Sequence, residues 1–363
     1  MLTIKGIILF VILLSAITIV HELGHLIVAK IFGVYCKEFS IGMGPKLFGK
    51  KFKETEYNVR ALLIGGFVSM AGEEDENDPD IEALNIPKER TLKGVSKYKQ
   101  MLIMFAGIFM NFVTALIIYS LIILNIGSYT IASKPVIDSI MEGYPAAQTE
   151  LMPGDIIEKA ELSTGLAIEP DSYSELTTFL SAYYEGEGYW TLHIDRDGIK
   201  HTIDITPQYY EQENRYIIGI QFSDLATKTV DVNIFNCFKY GFIYMISMVK
   251  MIFTSLLAVF KGIGLNNLSG PIGVYKVVED SIQYGIGYYI ELIALISINV
   301  AVFNALPIPA FDGGRALLLL IEVIIGKPLP SKFERGILAA SWVLILMLML
   351  FTTWNDLSKI IGG

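Results

Sequence analysis

Apolar residues in this chain gather into long runs separated by two polar stretches, and the lengths of the runs set the first expectation. The run from Gly6 to Val34 exceeds the roughly 20 residues a helix needs to cross a bilayer at about 1.5 Å per residue. Met101 to Ile126 and Gly336 to Trp354 are also of spanning length, while Tyr284 to Ile325 is too long for one straight helix. Together they predict about four spanning helices. Ile234 to Lys261 is apolar too, but Lys239 and Lys250 lie inside it. It reads either as a further span or as an amphipathic helix lying on the membrane, and the surface reading is preferred.

The polar stretches carry a different period. From Tyr35 to Gln100, glycines at 42, 44, 49, 65 and 66 alternate with short β-prone runs, which predicts β-hairpins. The cluster Ala61 to Met70 is too apolar for a plain connection, so a sheet dipping into the membrane surface is expected. Glu73 to Glu89, acidic and rich in turn formers, is expected to be mobile. Ser128 to Asp231 holds strand-like segments VIDSI, IIEKAEL and YIIGIQF, a pair around Asp197-Gly198, and a helix from Ser172 to Tyr184. That suits one small α+β domain. The expected architecture is an α-helical polytopic membrane protein with a membrane-associated β-hairpin region and an inserted α+β domain, divided at 1–127, 128–231 and 232–363.

Composition agrees. Hydrophobic residues make up 53% of the chain and charged ones 18%, below the quarter usual for soluble domains. The net charge of −9, with no dense Lys/Arg run, excludes a nucleic-acid partner. The first run is too long for a cleavable signal peptide and lacks a small-residue cleavage site. Two cysteines, Cys36 and Cys237, are too few for a disulfide framework or a cysteine zinc site. Lys and Arg are about twice as numerous in Tyr35 to Gln100 as in Ser128 to Asp231. By the positive-inside rule the hairpin region is cytoplasmic and the inserted domain external.

The chemistry is concentrated in two places. His21-Glu22-Leu23-Gly24-His25, inside the first run, is an H-E-x-x-H sequence. On a helix His21 and His25 share a face and can ligate one metal, with Glu22 beside them to handle a water. Neighbouring polar groups satisfying these side chains is the bland reading. Placing three such groups in a spanning helix costs several kcal/mol unless they are paired, which favours function. The other histidines, His193 and His201, fall on alternating strand positions. A third metal ligand is then a carboxylate, and Asp312 is the only acid in the Asn304 to Gly314 break of the fourth apolar run. Asp312 also suits a helix cap, and the two roles can coexist. The break opens backbone that lipid cannot satisfy, so it faces protein or a watery cavity. With four spans, His25 and Asp312 lie at similar depth; a fifth span at 234–261 would separate them. In the second run, Ala106 and Gly107 permit close helix packing, and Asn111 is a lone amide that lines the site or bonds between helices.

Taken together, HELGH, FSIGMGP, IGGFV, AGIFMN, LSGPIG and SINVAVFNALPIPAFDGG resemble the site-2 protease family, in its bacterial branch of intramembrane metalloproteases. Departures are Leu63, Ile108 and Phe311, none at a ligand. The resemblance implies zinc bound by His21, His25 and Asp312, Glu22 as general base and acid, and Asn304 near the substrate strand. Pro145-Ala146-Ala147 with Gly154-Asp155-Ile156-Ile157 resembles a permuted PDZ domain, which adds a peptide strand to a sheet edge or serves as a steric plug. The implied partners are the lipid bilayer and single-span transmembrane substrates already shortened outside, such as anti-sigma factors or signal-peptide remnants. The implied location is the bacterial cytoplasmic membrane, multi-pass, with the PDZ domain extracytoplasmic. The rival is a PDZ-bearing membrane scaffold whose metal site is only structural.

Overall fold

The computed structural model of the protein describes residues 3–73, 84–131, 134–184, 186–211, 215–223, 228–265 and 268–362. Most of the segment expected to be mobile, 74–83, lies outside them. The helices are α1 (Ile4–Ile31), α2 (Lys97–Ile126), α3 (Tyr173–Tyr183), α4 (Cys237–Phe260), α5 (Pro271–Gln283), α6 (Ile286–Ala305), α7 (Asp312–Ile325) and α8 (Ser331–Gly362). The chain forms two compact units. One comprises Met1–Ile122, Phe238–Val249 and Leu268–Gly363, the other Ile123–Cys237 and Lys250–Asn267.

Among the described residues five helices are long and apolar enough to cross a membrane: Ile4–Ile31, Lys97–Ile126, Cys237–Phe260, Ile286–Ala305 and Ser331–Lys359. By length and composition there is one candidate more than the four spans expected, α4, the segment expected to lie on the membrane surface. Its 24 residues reach about 36 Å at 1.5 Å per residue, and its two lysines do not remove that apolar length.

The first unit is built on α1. Thr3 caps it by accepting from the Gly6 amide at 3.1 Å. Leu13 and Ile17 pack with Val278 of α5 and with Tyr289 and Leu292 of α6. About two and a half turns further on, Leu26 and Ala29 join Ile103 and Met104 of α2, Ala316 of α7 and the hairpin residues Phe39, Val68 and Met70. Helices α1 and α2 cross closely because Gly24 has no side chain: a Cβ there would stand 2.4 Å from the Ala106 carbonyl oxygen. Outward-facing positions such as Ile8, Ile12, Phe105, Phe109, Leu346 and Met347 are exposed and apolar, as lipid-facing surface is.

Strands β1 (Cys36–Phe52) and β2 (Thr55–Met70) form the hairpin region. Phe39 pairs with both Val68 and Tyr57, and Ile41 with both Gly66 and Val59. Each long strand therefore bends back on itself, giving four short antiparallel segments. The bends fall at Gly42, Gly44 and Gly65, all in the left-handed region that glycine adopts without steric cost. At this doubled-back tip Met43, Leu62, Leu63 and Ile64 are exposed, and Ser15 of α1 donates to the Leu63 carbonyl. The apolar tip thus lies along a helix of spanning length. At the other end of the unit the buried Asp356 of α8 accepts from the amides of Gly270 and Gly273 at 2.9 and 2.8 Å, satisfying the open first turn of α5.

The second unit contains β3 (Ser128–Ile131), β4 (Ile137–Ile140), β5 (Ile156–Leu162), β6 (Ala167–Ile168), β7 (Trp190–Arg196), β8 (Ile199–Ile205), β9 (Gln208–Tyr210), β10 (Arg215–Ile217), β11 (Ile220–Phe222) and β12 (Lys228–Asp231). A four-stranded sheet runs β6-β5-β7-β8, and β3 with β12, β4 with β11 and β9 with β10 make antiparallel pairs. Helix α3, capped by Ser172, sets Leu176, Phe179 and Leu180 against Ile157, Ala160, Leu192 and Ile194 of the sheet. The buried Asp155 is held by Arg196 through bonds of 2.6 and 2.8 Å.

Candidate metal centre

The H-E-x-x-H turn of α1 puts His21 and His25 one above the other, their Nε2 atoms 3.2 Å apart. Asp312 enters from the break between α6 and α7. Two glycines bring it there: a Cβ at Gly313 would lie 2.4 Å from the Ala305 carbonyl oxygen, and one at Gly314 would lie 2.1 Å from Ile308 backbone. The chain after α6 can therefore fold flat against the start of α7. Asp312 Oδ2 lies 3.1 Å from His21 Nε2 and 3.4 Å from His25 Nε2. Asp312 also caps nothing: the N-cap of α7 is Phe311, with no side-chain cap bond.

Among the described residues, His21, His25 and Asp312 are the one group of three whose ligand atoms lie within 4.8 Å of one another. The donor set is two imidazole nitrogens and a carboxylate oxygen. Asp312 Oδ2 is shielded from solvent and has no hydrogen-bond donor of good geometry. An unpaired buried carboxylate oxygen costs several kcal/mol, and a cation at the convergence removes that cost. The residues fit zinc, which takes nitrogen and oxygen ligands and, with three from the protein, keeps a fourth position open. His193 and His201 lie on β7 and β8 of the other unit and contribute nothing here.

Each of the two imidazoles is held from behind. His25 Nδ1 lies 2.7 Å from the Ile103 carbonyl oxygen, and His21 Nδ1 lies 3.2 Å from the Asn111 amide. Between those two positions on α2, Gly107 provides room: a Cβ there would be 2.4 Å from His25 Nε2 and 2.7 Å from His21 Cε1. Glu22 turns toward the hairpin, where its Oε2 accepts from the Val68 amide at 3.2 Å. Arg315, one turn beyond Asp312, pairs with Glu73 at 2.8 Å, joining α7 to the end of the hairpin. Asn304, on the last turn of α6, is half-buried and joins none of the bonds that tie the three ligand residues together. Sequence reasoning did not anticipate the contacts of Ile103, Gly107 and Val68. Its signal for Asn111 was a polar amide in a lipid-length run.

The sequence model for peptidase family M50 matches residues 9–348. A Clostridium perfringens protein named "putative zinc metalloprotease" is 34% identical over 345 residues, covering 94% of this chain and 96% of that one. A Clostridium acetobutylicum protein of the same description is 31% identical over 358 residues, covering 97% of each chain. The regulator of sigma-W protease RasP of Bacillus subtilis is 28% identical over 431 aligned positions, covering 98% of this chain and 99% of RasP. With these likenesses the scaffold reading falls away. The chain belongs to peptidase family M50, the site-2 proteases, and is a zinc-dependent membrane metalloprotease.

Proposed function

We propose that His21, His25 and Asp312 hold the zinc, that Glu22 is the general base and acid, and that the enzyme cuts transmembrane segments of single-span membrane proteins. The observation that carries this reading is the convergence of three ligand atoms from α1 and α7 within 4.8 Å, with Glu22 next in sequence to His21. Bound there, zinc supplies Lewis acidity that polarises a scissile carbonyl and acidifies a water. Glu22 takes a proton from the attacking water on a carboxylate oxygen. As the new C–O bond forms and the C–N bond breaks, Glu22 delivers that proton to the departing amine nitrogen.

A helical substrate must first unwind, because its amides are bonded within the helix. The segment Gly66–Met70 supports strand addition as the means: among the described residues it pairs with β1 alone, and its Val68 amide points at Glu22. A substrate strand on that edge runs beside the metal ligands. Asn304 is assigned to that strand on its place at the mouth of the break. RasP is named a regulator of sigma-W, which favours anti-sigma factors as substrates, with signal-peptide remnants a second class. The division into 1–127, 128–231 and 232–363, and a PDZ identity for the middle part, rest on the Gly154-Asp155 motif and the order of strands and helix.

The deciding experiment is Glu22→Gln in the full chain. Cleavage of a single-span reporter should fall by about 100-fold or more while zinc content stays at the parent level. Loss of zinc with activity would move Glu22 from proton transfer to ligation. Placement in the bacterial cytoplasmic membrane, with residues 128–231 outside, is tested by cysteines at Lys93, Lys332 and Asp197. An impermeant thiol reagent should label only the last in intact cells. Labelling at Lys332 and not at Asp197 would invert the topology.

A further inference from the structure

The back of the metal centre is a single stripe on α2. Ile103, Gly107 and Asn111 are spaced four apart, as His21 and His25 are on α1, and residues four apart on a helix share a face. The helices run antiparallel at this crossing, so Ile103 meets His25 and Asn111 meets His21. Asn111 is fully buried, and its backbone carbonyl accepts from Ser297 Oγ of α6 at 3.0 Å. It therefore joins α1, α2 and α6 at one point. Its amide Oδ1 is buried without a partner, although Nδ2 lies 3.2 Å from His21 Nδ1.

That arrangement carries a chemical contradiction, resolved by the amide itself. If Nδ2 donates to Nδ1, the neutral ring must carry its proton on Nε2, the atom that lies 3.1 Å from Asp312 Oδ2, and Nε2 then has no lone pair for a metal. Amide oxygen and nitrogen have nearly the same shape, and which of them faces a ring is decided by the hydrogen bonds they make. Exchanging them sets the unpartnered oxygen on Nδ1, which becomes the donor, and leaves Nε2 free. His25 already has this pattern, because the Ile103 carbonyl can only accept from its Nδ1.

We infer that Asn111 is a positioning residue: its side-chain oxygen accepts from His21 Nδ1–H, fixes the ring tautomer and aims Nε2 at the metal. Ile103 does the same for His25 through backbone alone, so Asn111 is the member of the pair open to substitution. This rests on the ligand set proposed above. It gives the lone amide of the second span a task beyond joining helices, since acceptors behind metal-bound imidazoles set both ring orientation and donor strength.

The test uses the full-length protein in detergent, with zinc itself as the probe, titrated against a competing chelator, and the visible absorption of the Co2+-loaded form as a second readout. Asn111→Leu should bind zinc about 10- to 100-fold more weakly with unchanged helix content. Asn111→Asp, which can only accept from Nδ1–H, should hold zinc at least as well as the parent and shift the Co2+ bands through a more basic His21. Parent-level zinc affinity in Asn111→Leu would overturn the inference. So would Asn111→Asp losing zinc, because that is what an amide donating to Nδ1 predicts. Should Asn111→Leu fail to fold, the Asp variant and its Co2+ spectrum decide alone. His21→Ala stands beside them: if it too binds zinc like the parent, the ligand set is wrong, a failure distinct from that of the Asn111 assignment.

Discussion

The two compact units of this chain treat polar groups in opposite ways. In the unit built on α1, the outward side chains are isoleucine, phenylalanine, leucine and methionine, while His21, His25, Asn111 and Ser297 are buried. In the unit built on the β6-β5-β7-β8 sheet, an apolar core lies within and ion pairs such as Lys200 with Glu158 and Asp195 lie on the surface. Among the described residues Asp155 is its one fully buried charge, and it is paired with Arg196. The buried carboxylate of the sheet unit is satisfied and structural, and among the described residues the side-chain polar atom left buried without a partner there is the neutral indole Nε1 of Trp190. In the helical unit, polar atoms are left facing one point, Asp312 Oδ2 among them, and there the cost of burial signals chemistry.

Histidines and their carboxylate give the sharpest way to break that contrast. Asp312→Asn should lower both zinc affinity and cleavage by about 100-fold or more, since losing a direct ligand costs no less than losing its supporting partner. His193→Ala and His201→Ala should keep both. Zinc content and reporter cleavage measured on the three proteins check this. Normal zinc and activity in a folded Asp312→Asn protein would erase the distinction between the units.

Next in size is a cavity in the sheet unit. Leu192 of β7 is fully buried, so Leu192→Ala should destabilise that unit by about 2 to 5 kcal/mol. Hydrogen exchange on the full chain should speed up in β5, β7 and β8 while bound zinc is retained. Zinc loss alongside would mean that the sheet unit's core supports the metal centre.

The smallest effect is graded with pH. Burial would raise the Asp155 carboxyl, but the Arg196 guanidinium and the Met152 amide outweigh it and hold the group below the ordinary carboxylate range. A carboxylate depressed on folding contributes stability that is complete above its unfolded value, about 3.9, and is lost as pH falls through the folded value. Exchange protection of the sheet unit should therefore hold from neutral pH to about 4 and decline below it. Asp155→Asn should flatten that decline, and an unchanged slope would assign the acid sensitivity to other groups.

How far the sequence could be read follows the same division. His21 and His25 were legible because one helix turn fixes their relation, and Asp312 because it is the only acid in a break that lipid forbids. The hairpin was legible from its glycines, though not its doubling back, since Phe39 pairing with both Val68 and Tyr57 leaves no mark on a period of two. Helix α4 shows where composition stops: its two lysines suit a surface helix and its length suits a span. The contacts of Ile103 and Val68 were invisible for another reason, since each acts through backbone, and Gly107 was legible as a close-packing residue but not as the one facing the two imidazoles. Where α1 and α2 cross depends on Gly24 meeting the Ala106 carbonyl, a through-space fit that no local pattern announces.

The cap on α5 bears on the order in which this protein is made. Chains fold from the N-terminus as they are synthesised, yet the acceptor for the Gly270 and Gly273 amides is Asp356, 86 and 83 residues further along the chain. Until α8 is inserted, the first turn of α5 has open donors, and α5 is the helix whose Val278 packs against Leu13 and Ile17 of α1. The helix bearing His21 and His25 is thus made well before α8, yet the helix it packs against is not capped until α8 has been made. The Asp356 cap therefore ties the packing around the histidines to the arrival of α8 in the growing chain.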